Sequence, residues 1–337
     1  MNSKQRVLAR LAGSPVDRIP NFNIMMTFAA HYINKPLSDY YLNYRTLAAA
    51  NFAVQQDFNL DLLQAISDPY REAHDLGCHV QFPLDSLPIC LEPLILHGQD
   101  LARLRQPDPQ SGKRMRDRIE AVDLFHRRCG QEVMVMGWVE GALALSATLR
   151  GVNQLLLDLY DEPEWLDDLL AFCCELEIAF AVAQLEAGAD IIGVGDAVAS
   201  QISPDFYRRY ALPCEQKLFA AIHERGGLGR LHICGDTGRI LTDMAATGAD
   251  IIDIDWMVDM QQAALTFGER AVVCGNHNPV QVMRFGNVPL VEKSVLACMT
   301  AGGRRCISAA GCEIPDATPA ENLLAQSAIL GLLTELN

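Results

Sequence analysis

EAGADIIGVGD (186–196) and ATGADIIDIDW (246–256) are near-copies that begin 60 residues apart and enclose GRLHICGDT (229–237). Each copy reads as a helix end, a glycine turn and a short apolar strand finishing in a carboxylate, so the interval predicts two successive βα steps. Three further runs have the same form: VMVMGWVEG (133–141), AVVCGNHNP (271–279) and RRCISAAGC (304–312). Between the runs lie amphipathic stretches such as EPEWLDDLLAFCCELEIAFAVAQLEA (162–187), with apolar residues at helical spacing. Six parallel strands with intervening helices and no Gly-x-Gly-x-x-Gly turn favour a (β/α)8 TIM barrel over an open doubly wound sheet. RIPNFNI (18–24) is the expected first strand, and DLLQAIS (61–67) and CHVQF (78–82) supply the next. The expectation is a single α/β domain over 1–337 with an elaborated N-terminal segment, its one plausible internal break at Pro107 to Gly112.

The 337 residues carry 27 Lys and Arg against 42 Asp and Glu, a formal charge of −15 that argues against nucleic acid and anionic membranes as partners. Eleven cysteines, an odd number without a regular framework, read as reduced thiols of a cytoplasmic protein. MNSKQRVLARLAG at the start lacks the apolar segment of a secretory signal, and the richest apolar stretch is interrupted by Glu175 and Glu177, so no membrane span is expected.

On a barrel, strand ends and the loops after them build the site at one rim. His232 and Cys234 are two residues apart, so on a strand they share a face about 7 Å apart at the backbone, a workable bite for one metal ion. The turn Gly235-Asp236-Thr237-Gly238 puts the pair at a strand end, and Cys312 likewise follows the short run ISAA. One imidazole and two thiolates would leave a tetrahedral zinc one open position, as in catalytic sites. The alternative is that both cysteines are small buried hydrophobes.

The segment from about residue 130 onward resembles the uroporphyrinogen decarboxylase superfamily and, within it, the zinc-dependent, corrinoid-linked methyltransferase branch. The resemblance rests on GWVEGALALSATLRG (137–151), GDAVASQISPDFYRRYALP (195–213), HICGDTGRIL (232–241), DIDWMVD (253–259), CGNHNPV (274–280) and SAAGCEIPDATPAENL (308–323); DRIP (17–20) fits too. It implies a barrel, a catalytic zinc on His232, Cys234 and Cys312, and a methylated corrinoid protein as methyl donor. It also implies a small acceptor, a thiol such as coenzyme M, entering from the rim. A thiol held as thiolate at neutral pH would take the methyl group in line from cobalt, and the barrel's task is to hold the reactants collinear and dry.

Other residues carry paired readings. Glu140 is a fourth, displaceable zinc ligand or a helix cap. Asp196, in the GDA segment shared across the superfamily, is expected at the rim near cofactor or substrate. Asp253 and Asp255 share a strand face and are solvated strand-end carboxylates or orient the zinc ligands or a substrate amine, support for His232 being their best functional role. Asn276 donates a hydrogen bond at the rim or closes a turn. His277 contacts an unusual substrate or, as the commoner case, sits at the surface. Cys173, Cys174, Cys274, Cys298 and Cys306 are assigned to the core, and Met25 and Met26 fill it or pack against a flat ligand.

Two rival functions stand beside methyl transfer. Uroporphyrinogen decarboxylases resemble one another in an Arg-rich segment, of the type RQAGR, after the first strand; residues 19–44 here contain no Arg, and Lys35 is their only basic side chain apart from His31. An octacarboxylate would find little to pair with there. A non-catalytic zinc or corrinoid carrier is the other rival, separable by turnover. The sequence leaves the acceptor, the corrinoid protein and any homo-oligomer open.

Overall fold

In the computed structural model, which describes residues 1–333, nine strands occur among the described residues. They are β1 (Leu62–Gln64), β2 (Val80–Gln81), β3 (Ile89–Cys90), β4 (Met134–Glu140), β5 (Ile191–Gly195), β6 (Leu228–His232), β7 (Ile251–Asp253), β8 (Val272–His277) and β9 (Cys306–Ala310). Seven of them form one parallel sheet in the order β1-β4-β5-β6-β7-β8-β9. All six expected runs from 133 onward are therefore strands, and each follows its predecessor in space as in sequence. Helices such as Leu166–Glu186 make the crossovers.

Strand alternation divides the apolar residues into two layers. Leu62, Met134, Met136, Ile191, Ile251, Val272, Cys274 and Ile307 gather with Phe22 and Ile24 on one face. Leu63, Val135, Val139, Ile192, Val194, Leu231, Ile252 and Val273 point the other way, into the layer shared with the helices.

The sheet is curled, because one extended segment touches both its edges. Phe22 donates its N–H to the Ser308 carbonyl (2.8 Å), Pro20 accepts from Ser308 N–H (3.0 Å), and Asn21 accepts from Asp61 N–H (3.0 Å), the residue before β1. The expectation of a full strand over 18–24 is corrected: the segment makes a single bridge, and Pro20 has no N–H to give. The expected sheet strand at 78–82 is corrected as well. Val80–Gln81 pairs antiparallel with Ile89–Cys90 in a separate ribbon, the local return of the chain winning over the distant sheet. No helix among the described residues is long and apolar enough to cross a membrane.

Candidate functional site

Strand ends deliver the three expected metal donors to one place. His232 is the last residue of β6, Cys234 follows two residues on, and Cys312 lies two residues beyond β9. The His232 Nε2 is 3.1 Å from the Cys234 Sγ and 3.8 Å from the Cys312 Sγ, and the two sulfurs are 3.5 Å apart. Tetrahedral zinc, with Zn–S of about 2.3 Å and Zn–N of about 2.0 Å, needs donor separations of roughly 3.6–3.8 Å. The donor set is one that zinc takes, and the observed separations of 3.1–3.8 Å come within about 0.5 Å of that spacing. Among the described residues this is the one cluster of three His, Cys, Asp or Glu donors within 4.8 Å of one another.

The donors are electrostatically coupled. Contact with Cys234 pushes the Cys312 thiol down to about 4, with His232 contributing further, and the same contact pushes Cys234 up. Burial disfavours the imidazolium of His232, yet Cys234, Asp253 and Cys312 together hold its pKa well above the ordinary value.

Two carboxylates behind the cluster fix it. Asp253 Oδ2 lies 3.1 Å from His232 Nδ1, and Arg230 grips the carboxylate through Nε (3.0 Å to each oxygen) and Nη2 (2.8 Å to Oδ2). Burial works against its ionisation, but Arg230 and then His232 keep Asp253 down at about 2. Asp255 accepts from the N–H groups of Gly235 (2.8 Å) and Trp256 (2.7 Å), which sets the turn after Cys234. Gly235 takes φ +93° there, a conformation that suits glycine.

The cluster opens into a cavity of about 190 Å³. Its walls include Ile24, Met26, Ile66, Trp138, Asp68, Arg71, Glu140 and Glu313. Glu140, the end of β4, accepts at Oε1 from Arg71 Nη2 (2.6 Å) and lies outside the three-donor cluster. Burial pushes its pKa up to about 8, against the pull of Arg71. The helix-cap alternative for Glu140 is taken by another residue: Asp196 Oδ1 accepts from Ala144 N–H (2.9 Å) in the first turn of helix Ala142–Arg150. Asp196 is fully buried, and its neighbours Gly195 and Ala197 line the cavity instead.

Asn276 spends its Nδ2 on the carbonyls of Asp255 (3.1 Å) and Val258 (2.7 Å), bracing the loop after β7. His277 is corrected: it is buried at the end of β8 with neither ring nitrogen partnered, and desolvation lowers its pKa to about 4. Cys173, Cys174, Cys274 and Cys306 are buried as expected, and Cys298 is half-buried. Met26 faces the cavity and Met25 the core.

Sequence reasoning missed the wall built by ISDPYREA (66–73). Asp68 pairs with Arg114, and Arg71 with Glu72 and Glu140, all buried. Its signal was available: Asp68 follows the apolar run 61–67, as Glu140 and Asp196 end or follow theirs.

Known proteins share this architecture. Methylcobamide:CoM methyltransferase MtbA of Methanosarcina mazei is 28% identical over 326 residues, covering 95% of each chain. Methylcobamide:CoM methyltransferase MtaA of Methanosarcina barkeri is 27% identical over 96% of this chain and 95% of its own. A solved methyltransferase structure from Methanosarcina mazei superposes with a TM-score of 0.90 at 24% identity over 99% of both chains, a likeness of fold. The family model described as uroporphyrinogen decarboxylase (URO-D) matches residues 2–328, so the chain belongs to the uroporphyrinogen decarboxylase family.

Proposed function

We propose that this chain is a zinc-dependent methyltransferase that moves a methyl group from a methylated corrinoid, carried by a partner protein, to a small thiol such as coenzyme M. It works in the cytoplasm as a single domain over 1–337, with residues 20–24 standing in as the eighth stave of a closed barrel. The observation that carries the reading is the convergence of His232, Cys234 and Cys312 on a largely apolar cavity at the strand ends. The activities for which the Methanosarcina relatives are named favour the same chemistry.

One neutral imidazole and two thiolates balance a dication and leave a coordination position for a sulfur guest. Zinc bound there would supply the Lewis acidity that keeps an acceptor thiol ionised at neutral pH. Asp253 accepts a hydrogen bond from the Nδ1–H of His232, which would leave the Nε2 lone pair for the ion. Ile24, Met26, Ile66 and Trp138 exclude water around the acceptor. The thiol would release its proton to solvent, and a sulfur lone pair would form the S–C bond as the Co–C bond breaks with its electron pair staying on cobalt, methyl-Co(III) becoming Co(I). A cavity of about 190 Å³ has room for a small thiol, and the corrinoid, carried by its partner protein, would present its methyl group at the mouth. Glu140 serves as the displaceable fourth ligand after letting go of Arg71. Asp196 and Asn276 act by holding the rim loops rather than by touching the corrinoid.

The test mixes purified protein, methylcobalamin and a panel of thiols and follows the cobalt spectrum, after metal analysis of the protein as isolated. Near-stoichiometric zinc with thiol-dependent demethylation is expected. Failure of every thiol to demethylate the corrinoid would sink the proposal.

A further inference from the structure

We infer that Arg230 is a positioning residue for the metal seat: it holds the Asp253 carboxylate so that Oδ2 meets His232 Nδ1 and Nε2 is left facing the two sulfurs. The inference rests on the zinc reading above and extends it to a residue outside the donor set.

Arg230 lies on β6, two residues before His232, and is fully buried on a face otherwise built from Phe22, Met136, Ile251, Val272 and their neighbours. A guanidinium in such a layer costs desolvation, so it needs compensating contacts. It has them in a fixed arrangement. Nε and Nη2 make three contacts of 2.8–3.0 Å with Asp253, and Nη2 also donates to the Phe22 carbonyl at 3.1 Å. The guanidinium lies over the Phe22 ring at 5.3 Å, and Nη1 rests 3.6 Å from the Met136 sulfur. Arg230 is thereby clamped by β4, β7 and the 20–24 segment at once, and the planar fork leaves the carboxylate one orientation. Asp253 Oδ2, shared between Arg230 and His232, carries that constraint to the imidazole. An ion pair retained for packing alone would not need its second oxygen contact aligned with a metal ligand.

The experiment measures zinc affinity by competition with a chromophoric chelator for the full chain and for Arg230→Met, Arg230→Lys, Asp253→Asn and the Arg230→Met/Asp253→Asn double variant. Visible spectra of the cobalt(II)-substituted proteins are recorded beside it. Arg230→Met should lose about 10–100-fold in zinc affinity and shift the cobalt bands, as removal of an outer partner of a metal ligand does. Arg230→Lys should fall between, since an ammonium cannot reproduce the fork. The double variant should bind zinc no more weakly than Asp253→Asn, because Arg230 acts through Asp253. Wild-type affinity and cobalt spectrum in Arg230→Met would overturn the inference. Should that variant fail to fold, the same result in Arg230→Lys overturns it. A wild-type protein that holds no zinc would instead remove the metal reading itself, and this inference with it.

Discussion

The Cys234 and Cys312 sulfurs lie 3.5 Å apart although 78 residues separate them in the chain. An ion shared between them closes a long loop, and by loop-closure entropy such a link restrains the unfolded chain by roughly 4–5 kcal/mol if it is held as firmly as a covalent one. Stripping the metal with a chelator should therefore lower the unfolding temperature, and zinc should restore it; calorimetry with and without chelator reads this directly. A transition that ignores the metal would argue against a shared ion.

Cys312→Ala removes one of the three candidate metal donors. Zinc content should fall far below one per chain, and thiol-dependent demethylation of methylcobalamin should drop at least about 100-fold, about 2.7 kcal/mol of barrier. Metal analysis and the cobalt spectrum check the two arms separately.

Gly311 immediately precedes Cys312, and a Cβ there would come within 2.3 Å of Trp256 N and 2.7 Å of Asp255 Oδ1. The nearest obstacle is backbone, so it cannot rotate away. Gly311→Ala should cost about 1–3 kcal/mol in stability and weaken zinc binding by moving Cys312. Urea unfolding and zinc titration of the same variant provide the check.

His31 sits between two carboxylates, Nδ1 at 2.5 Å from Asp316 and Nε2 at 2.7 Å from Asp85. Ionised carboxylates only accept hydrogen bonds, so both ring nitrogens must donate and the ring is an imidazolium. Burial works against that charge, but Asp85 and Asp316 raise the pKa above its ordinary 6.5. The stabilisation is then fully present below pH 6.5 and is lost as pH rises through the raised value. Wild type should be more stable than His31→Gln in mild acid, with the gap closing in alkali; thermal melts across pH measure it. A gap that stayed constant would contradict the assignment.

Arg71 is fully buried, and its Nη2 serves both Glu72 and Glu140. Arg71→Met strands those carboxyl groups and should destabilise the chain by about 3–5 kcal/mol. Chemical denaturation reads the loss.

The strands from 133 onward were legible because each is an apolar run bounded by glycine and a polar end, and buried parallel strands need little else. His232 and Cys234 were legible for a related reason: their spacing of two on a strand puts them on one face whatever the rest of the fold does. The position of Cys312 beside them was not a local matter, and came from the barrel expectation and the resemblance. What stayed hidden was decided by distant partners. His277 reads as a surface residue because nothing nearby announces that its ring will be covered. Arg230 carries no local signal, and its role emerges only when Asp253, 23 residues later, is placed opposite it. The segment at 78–82 has strand composition, but composition does not say which neighbour a strand will find.

Residues 20–24 and 308–314 are laced together around Cys312: Phe22 to Ser308, Ser308 to Pro20, Ile314 to Ile24, and Ala310 to the Asn23 side chain, 287 positions earlier. A ribosome emitting this polypeptide has delivered the imidazole and the first sulfur long before that seam can be sewn. Until then the nascent chain would offer only two of the three donors for the proposed ion, so loading would wait on the meeting of these two distant stretches.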